Sequence, residues 1–279
     1  MSSKISAKTQ LCMVIGQPVC HSLSPAMHNA AYRELGIDDR FVYVASEIDT
    51  SDLGIAMAAV RAMSIRGLSC TVPYKTAVMK YLDEIDPVAE KIGAVNTVVN
   101  DGNSLKGYNT DWLGVLVPME EMLELKGKRV AILGAGGAAR AMLFAVASRG
   151  AQPKVFNRTK ERAEALAGDF PSCACGTLDE LDELVDFDVI LNSTTVGMGS
   201  DLEESLVAPE LLRKAHIVLD AVYMPPETKL LRDAKSKGAS VISGLDMLLY
   251  QGMAQFDYYT GMDAPKDAMR EALKVAVGV

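Results

Sequence analysis

Residues 129–140 read RVAILGAGGAAR, an apolar strand-like run, a glycine-rich turn and a helix start in immediate succession. Within it, Gly134-Ala135-Gly136-Gly137-Ala138-Ala139 has the spacing G-x-G-x-x-A. Gly134 permits the tight turn, Gly136 lets the backbone approach a pyrophosphate, and Ala139 is small enough for close helix packing. The start of the helix adds unpaired N–H groups and the positive end of its dipole, both suited to an anion. Such a unit commits its part of the chain to a mostly parallel sheet with crossover helices. It also makes a dinucleotide the expected ligand.

The second strand of the unit selects between dinucleotides. A unit that takes NAD has Asp or Glu near the end of that strand, about twenty residues on, to hold the ribose 2′-hydroxyl. Here the sequence is Val155-Phe156-Asn157-Arg158-Thr159-Lys160-Glu161-Arg162. No acid stands at the strand end, and Arg158 and Arg162 are four apart, a spacing that puts both on one side of a helix. Arginine near a helix N-terminus is unfavourable unless something anionic sits there. A 2′-phosphate is such a group; each charge-assisted hydrogen bond to it is worth about 1.5–3 kcal/mol. Asn157 and Thr159 can add neutral donors. NADP is the expected cofactor, and a merely exposed basic helix start is the alternative.

Short apolar runs alternate with helical stretches along the rest of the 279 residues. LCMVIG (11–16), FVYVA (41–45) and IRGLSCTV (65–72) read as strands, with helices from Ser24-Pro25 to Gly36 and from Leu53 to Met63 between them. AVNTVVNDGNSLKGYN (94–109) has strand-like residues on both sides of Asp101-Gly102, a hairpin signature. A helix over Asp111 to Leu125 leads to the glycine turn, and PKVFN, DVILN, HIVLDAV and ASVI continue the strands beyond it. The fold class is α/β: two α/β domains flanking a cleft, the second a Rossmann-type doubly wound parallel sheet.

Composition excludes several classes. With 49% hydrophobic and 23% charged residues the chain is not a disordered one. Its 28 basic and 36 acidic residues give a net charge of -8, which argues against a general nucleic-acid binder. No apolar run approaches the roughly 18 residues of a membrane span. MSSKISAKTQ at the start lacks the apolar centre of a secretion signal, so the cytoplasm is the expected location. Five cysteines, an odd number, do not suggest a disulfide framework. Cys173 and Cys175 offer half a metal site at most, His21, His28 and His216 form no cluster, and no metal is expected.

Polar residues gather where the strands of the first region end. His21-Ser22-Leu23-Ser24-Pro25 sets two hydroxyls in a loop entering a helix, either a carboxylate clamp or, for Ser24, the helix cap. Lys75 follows Thr71-Val72-Pro73-Tyr74 at the exit of the third strand, as a functional ammonium or as a surface charge. Asp111 either caps its helix or faces the cleft, and Gln251 lies on the stretch that leads back from the second domain.

Nine segments in order, GQPVCHSLSPAMHNA (16–30), TVPYK (71–75), GAVNT (93–97), GYNTD (107–111), GAGGAAR (134–140), NRT (157–159), NSTTVGM (192–198), DAVYMPPET (220–228) and GLDMLLYQG (244–252), carry a resemblance over nearly the whole chain. It resembles the NADP-dependent shikimate dehydrogenase family. The resemblance implies a substrate-binding domain of residues 1–112 and 246–279 and an NADP-binding domain of 113–245. It implies that Ser22 and Ser24 hold the substrate carboxylate with Tyr223 close by, that Thr71, Asn96, Asp111 and Gln251 bind ring hydroxyls, and that Lys75 and Asp111 are the catalytic pair. Asn192, Thr194, Gly244 and Met247 are implied along the cofactor, the last two near its nicotinamide. The activity implied is reversible reduction of 3-dehydroshikimate to shikimate with NADPH, by a monomer or homodimer without nucleic-acid or membrane partners.

Three positions depart from the commonest pattern of that family. Ser69 stands where Asn is usual, and LSCTVPYK (68–75) looks more like the dehydrogenase half of the plant bifunctional dehydratase–dehydrogenases. Trp112 replaces a common Gly, and Tyr74 a common His or Phe. None removes a proposed catalytic group, but together they leave the substrate range open. The competing expectations are a quinate/shikimate dehydrogenase of broader range and a non-catalytic NADP-sensing protein.

Overall fold

The computed structural model describes residues 5–102, 104–200 and 202–278. The chain forms two compact units, Met1–Thr110 with Gln251–Val279, and Asp111–Tyr250. The first contains β1 (Gln10–Gly16), α1 (Ser24–Glu34), β2 (Phe41–Glu47), α2 (Leu53–Ala62), β3 (Gly67–Cys70), α3 (Tyr74–Ala77), β4 (Glu84–Ile85), α4 (Pro87–Ile92), β5 (Thr97–Asn100) and β6 (Leu105–Tyr108). Their sheet has the order β2-β1-β3-β5-β6-β4. β1 pairs in parallel with β2 and β3, whereas β5 runs antiparallel to both β3 and β6.

The second unit contains α5 (Asp111–Glu120), β7 (Arg129–Leu133), α6 (Gly137–Ala147), β8 (Gln152–Asn157), α7 (Lys160–Gly168), β9 (Ala174–Thr177), β10 (Val189–Asn192), β11 (Ile217–Asp220), α8 (Lys229–Ser236) and β12 (Ser240–Ile242). All its strand pairs are parallel, in the order β12-β11-β10-β7-β8-β9. Read from the other edge this is 3-2-1-4-5-6, the dinucleotide-binding order, with its switch point between β7 and β10. α9 (Gly244–Thr260) carries the chain back into the first unit, where α10 (Lys266–Val277) packs along α1. Among the described residues no helix is long and apolar enough to cross a membrane.

Apolar strands explain both cores. Val130, Ile132, Val155, Val189, Leu191 and Leu219 are buried on one side of the second sheet. Ala131, Leu133, Phe156, Ile190 and Val218 are buried on the other, as a sheet covered on both faces requires.

Several local expectations change. Ser24 does not cap α1: Leu23 is the N-cap residue, no side chain caps it, and Ser24 is buried inside the first turn. The helix from Asp111 stops at Glu120 rather than Leu125, two residues after an internal Pro118. The β5–β6 hairpin closes through a four-residue loop, not a two-residue turn, because the Asn100 and Asp101 side chains accept the N–H groups of Gly102 and Ser104, each at 2.9 Å. β4 and β9 carry too little apolar pattern to announce themselves: one is two residues long and the other reads ACGT.

One polar ring lies deep in the first core. His28 is fully buried, stacked on Tyr43 at 4.3 Å between ring centroids and 3° between planes, and neither ring nitrogen makes a hydrogen bond among the described residues. Burial, opposed only by the neighbouring Gln255 amide, lowers its pKa from 6.5 to about 3. The unfolded chain therefore binds a proton over a range where the folded one does not, so stability is full above pH 6.5 and falls as the pH drops toward 3. Unfolding free energies from urea melts between pH 7 and pH 5 should fall more steeply for the wild-type protein than for His28→Phe, by up to about 1.4 kcal/mol per pH unit. Equal slopes would exclude the neutral buried ring.

Candidate active site

The turn after β7 depends on a missing side chain. Gly134 has φ +106°, and a Cβ there would lie 2.5 Å from Ser193 Oγ and 3.1 Å from Thr194 Cγ2. Ser193 belongs to the turn after β10, and its hydroxyl donates to the Leu133 carbonyl at 2.7 Å. The two turns at the switch point thus interlock, where sheets of this order bind dinucleotides. Gly136 is different, since a Cβ there would meet no protein atom within 4 Å. Protein packing therefore does not require that glycine, and the space beside its backbone is open. Gly136 is the N-cap of α6, and no side chain caps the helix. The N–H groups of Gly137, Ala138 and Ala139 therefore begin it without intrahelical partners, the arrangement that suits a pyrophosphate. Ala139 itself is packed in the core.

At the end of β8, the Asn157 side chain donates to the Thr159 carbonyl at 2.9 Å and shapes the turn. Thr159, in an extended conformation, is the N-cap of α7. Arg158 therefore precedes the helix and Arg162 sits on its first turn, so the expected spacing of four along one helix face does not apply. Both arginines are exposed, and among the described residues neither pairs with a carboxylate.

Asn192 ends β10 and is committed to the protein. Its Nδ2 donates to Asp220 at 2.9 Å, and its Oδ1 accepts the Thr194 N–H and hydroxyl at 3.1 and 2.7 Å. Asp220, at the end of β11, also accepts from the Val222 N–H at 3.0 Å and from the Thr228 hydroxyl at 2.6 Å. Burial pushes its carboxyl above the usual range, against the pull of these hydrogen bonds. Thr228 in turn caps α8 through the Leu231 N–H. Asp220 thus ties the end of β10 to both ends of the loop between β11 and α8, and sequence reasoning gave it no role. Its signal was an acid closing an otherwise apolar strand, HIVLDAV. The same rim carries Tyr223, half-buried, whose phenol burial shifts upward. Gly244 opens α9 so close to the loop after β11 that a Cβ would lie 2.4 Å from the Val222 carbonyl oxygen. Met247 belongs to the hydrophobic core with Leu191 and Leu219. Asp111 is buried as the first residue of α5.

In the first unit, the loop that bears Ser22 and leads into Ser24 at the start of α1 is tied down at several points. Gln17 N–H donates to the Val72 carbonyl at 3.0 Å, Val19 N–H to the Glu47 carboxylate at 3.1 Å, and Ser24 N–H to Ser22 Oγ at 3.4 Å. Thr71 leaves β3 with its N–H on the Ile15 carbonyl, and a Cβ on Gly16 would come within 2.4 Å of its methyl group. Lys75 stands half-buried on the single turn of α3, whose first residue, Tyr74, donates its hydroxyl to the Ile48 carbonyl. The Lys75 carbonyl accepts the Val95 N–H at 2.8 Å, next to Asn96. Asn96 Oδ1 accepts the Thr110 N–H at 2.8 Å, and its Nδ2 faces Thr110 Oγ1 at 2.9 Å and Gln251 Oε1 at 3.4 Å. Asn96 and Gln251, far apart in sequence, are in direct contact. Thr110, Tyr74 and Glu47 support the set, although none was singled out as a site residue from sequence.

The two glycines of the turn should separate on mutation. Gly134→Ala should lose about 1–3 kcal/mol of stability, from positive φ and the clash with Ser193, and dinucleotide binding with it. Gly136→Ala should change stability by less than about 0.5 kcal/mol while weakening dinucleotide binding. Thermal unfolding and fluorescence titration check both, and unchanged binding in Gly136→Ala would remove the ligand from this turn.

Family models match most of the chain: a shikimate dehydrogenase substrate binding domain over residues 14–98, a shikimate/quinate 5-dehydrogenase domain over 118–221 and a shikimate 5′-dehydrogenase C-terminal domain over 244–274. The shikimate dehydrogenase (NADP(+)) of Moorella thermoacetica is 46% identical over 285 aligned residues, covering 99% of this chain and 96% of that protein. A shikimate dehydrogenase crystallised with NADP+ superposes with a TM-score of 0.93 at 40% identity, covering 99% of both chains. The enzyme of Thermus thermophilus, solved with NADP(H) and shikimate, gives a TM-score of 0.88 at 38% identity over 96% of this chain and 100% of its own. This chain belongs to the shikimate dehydrogenase family.

Proposed function

We propose that this protein catalyses the reversible NADPH-dependent reduction of 3-dehydroshikimate to shikimate. The observation that carries the reading is the buried set Asn96–Thr110–Gln251, with hydrogen-bonding groups suited to a polyol ring, in a chain whose second unit presents an uncapped glycine turn at its switch point. Most of the substrate ligands lie in the first unit, with Asp111 and Tyr223 supplied from the second. Ser22 and Ser24 hold its carboxylate with Tyr223, and Thr71, Asn96, Asp111 and Gln251 hold its ring hydroxyls.

The second unit takes NADP. The turn from Gly134 to Ala139 receives the pyrophosphate, and Asn157, Arg158, Thr159 and Arg162 receive the 2′-phosphate. Asn192 and Thr194, with Gly244 and Met247, line the remainder. Bound NADPH supplies the hydride that reaches the C3 carbonyl carbon. Negative charge then develops on the carbonyl oxygen, where the Lys75 ammonium stabilises it and delivers the proton. Asp111 orients the lysine and accepts a hydrogen bond from the neighbouring hydroxyl. In the oxidation direction the same proton returns to Lys75.

Lys75→Ala should lower turnover about 10²–10⁴-fold with little change in the KM for shikimate, measured by NADPH absorbance. If the KM alone moves, Lys75 is a clamp. Arg158→Ala with Arg162→Ala should raise the KM for NADP about 10- to 100-fold and leave that for NAD nearly unchanged. Equal losses with both cofactors would deny the arginines a role at the 2′-phosphate. Comparable rates with quinate would place the protein in the broader quinate/shikimate class.

A further inference from the structure

Ser69 lies on β3, two residues before Thr71, with its side chain in the core of the first unit. Its Oγ is 2.6 Å from the Tyr43 hydroxyl, 2.9 Å from the Tyr259 hydroxyl and 3.0 Å from Gln255 Oε1. A serine hydroxyl has one proton and two lone pairs, and an amide oxygen can only accept. Ser69 therefore donates to Gln255, and both tyrosines donate to Ser69.

The orientation of Gln255 is set by a backbone group. Its Nε2 lies 3.3 Å from the Asn96 carbonyl, which can only accept, so that atom must be the amide nitrogen. The second Nε2 proton goes to Thr97 Oγ1 at 3.0 Å, and Thr97 in turn donates to Asn96 Oδ1 at 2.7 Å. Asn96 Oδ1 also accepts the Thr110 N–H at 2.8 Å, which leaves its Nδ2 directed at Thr110 Oγ1 and Gln251 Oε1. Donor and acceptor are thus assigned at each link from Ser69 to Asn96. Gln251 and Gln255 are also four apart on α9, on one face, so the anchoring of Gln255 sets the position of Gln251.

We propose that Ser69 is a positioning residue for substrate recognition, acting through Gln255 to hold Asn96 and Gln251 in place against the ring hydroxyls. The inference rests on the reading of Asn96 and Gln251 as substrate ligands. It also accounts for the small residue at this position. Tyr43, Tyr259 and Gln255 converge on Ser69 closely enough that a larger amide would have to displace them. Two residues away, a Cβ on Gly67 would lie 2.4 Å from the Tyr259 ring.

Threonine and valine at position 69 have the same shape and differ only in the hydroxyl, so the pair isolates the hydrogen bond from the added volume. In the full-length protein, Ser69→Val should raise the KM for shikimate about tenfold or more above that of Ser69→Thr, with the KM for NADP unchanged. Equal shikimate KM values in the two variants, whatever their melting temperatures, would overturn the proposal and leave Ser69 a packing residue. Gln255→Leu removes the next link without altering β3 and should raise the shikimate KM in the same way. An unchanged value there overturns the proposal independently of how the Ser69 variants fold. Asn96→Ala and Gln251→Ala separate the two levels. If these leave the shikimate KM unchanged, the ligand assignment fails; if they raise it and neither Ser69→Val nor Gln255→Leu does, only the positioning role fails.

Discussion

A parallel sheet must be covered on both faces, and that constraint decides where polar chemistry can sit in this protein. Strand interiors such as VAIL, VIL and IVL are spent on two hydrophobic cores. Polar side chains are then admitted where the strands end. Asn157, Asn192 and Asp220 are the last residues of β8, β10 and β11, and Gly134 directly follows β7. In the first unit Gly16 closes β1 and Thr71 follows β3. Polar and turn residues from distant parts of the sequence therefore gather at the ends of the strands.

Burying those groups is costly unless each donor meets an acceptor. The two strand-end networks meet that demand in different ways. Asp220 accepts from a side-chain amide, a backbone N–H and a hydroxyl, and so joins the end of β10 and the loop between β11 and α8 around one carboxylate. Asn96 is held by a backbone N–H on its oxygen and by hydroxyl and amide partners on either side. His28, whose ring nitrogens find no such partners among the described residues, gives up its charge instead and is stacked on Tyr43. Buried polar groups in this protein are thus either paired, as Asp220, Asn96 and Ser69 are, or held neutral, as His28 is.

Much of the fold and part of the site were legible in the sequence. The strand–turn–helix at 129–140 and the alternation of elements depend on local patterns that survive folding unchanged, and the hairpin near Asp101 forms with a longer loop than its turn signal implies. Ser24 and Arg158 show where such reading stops. Serine before proline at a helix start is the usual sign of a cap, yet Ser24 sits inside the first turn because Leu23 occupies the cap. Arginines four apart suggest one helix face, yet Thr159 is extended and puts Arg158 in the turn. Each outcome depends on a single residue's dihedral angles, which neighbours in space set. Asp220 and Gln255 were passed over because their partners are residues 28 and 159 positions away, among others.

The sequence by itself determined the class of fold, the place of the phosphate-binding turn and the kinds of side chain available to a substrate, because these follow from short-range spacing and composition. Tertiary structure alone decided which of those side chains meet. The contact of Asn96 with Gln251, the interlock of Gly134 with Ser193 and the junction of Tyr43, Tyr259 and Gln255 on Ser69 each join residues from different elements. Hydrogen bonds act over about 3 Å and in fixed directions, so they exist only once packing has brought the strands and α9 to their final register.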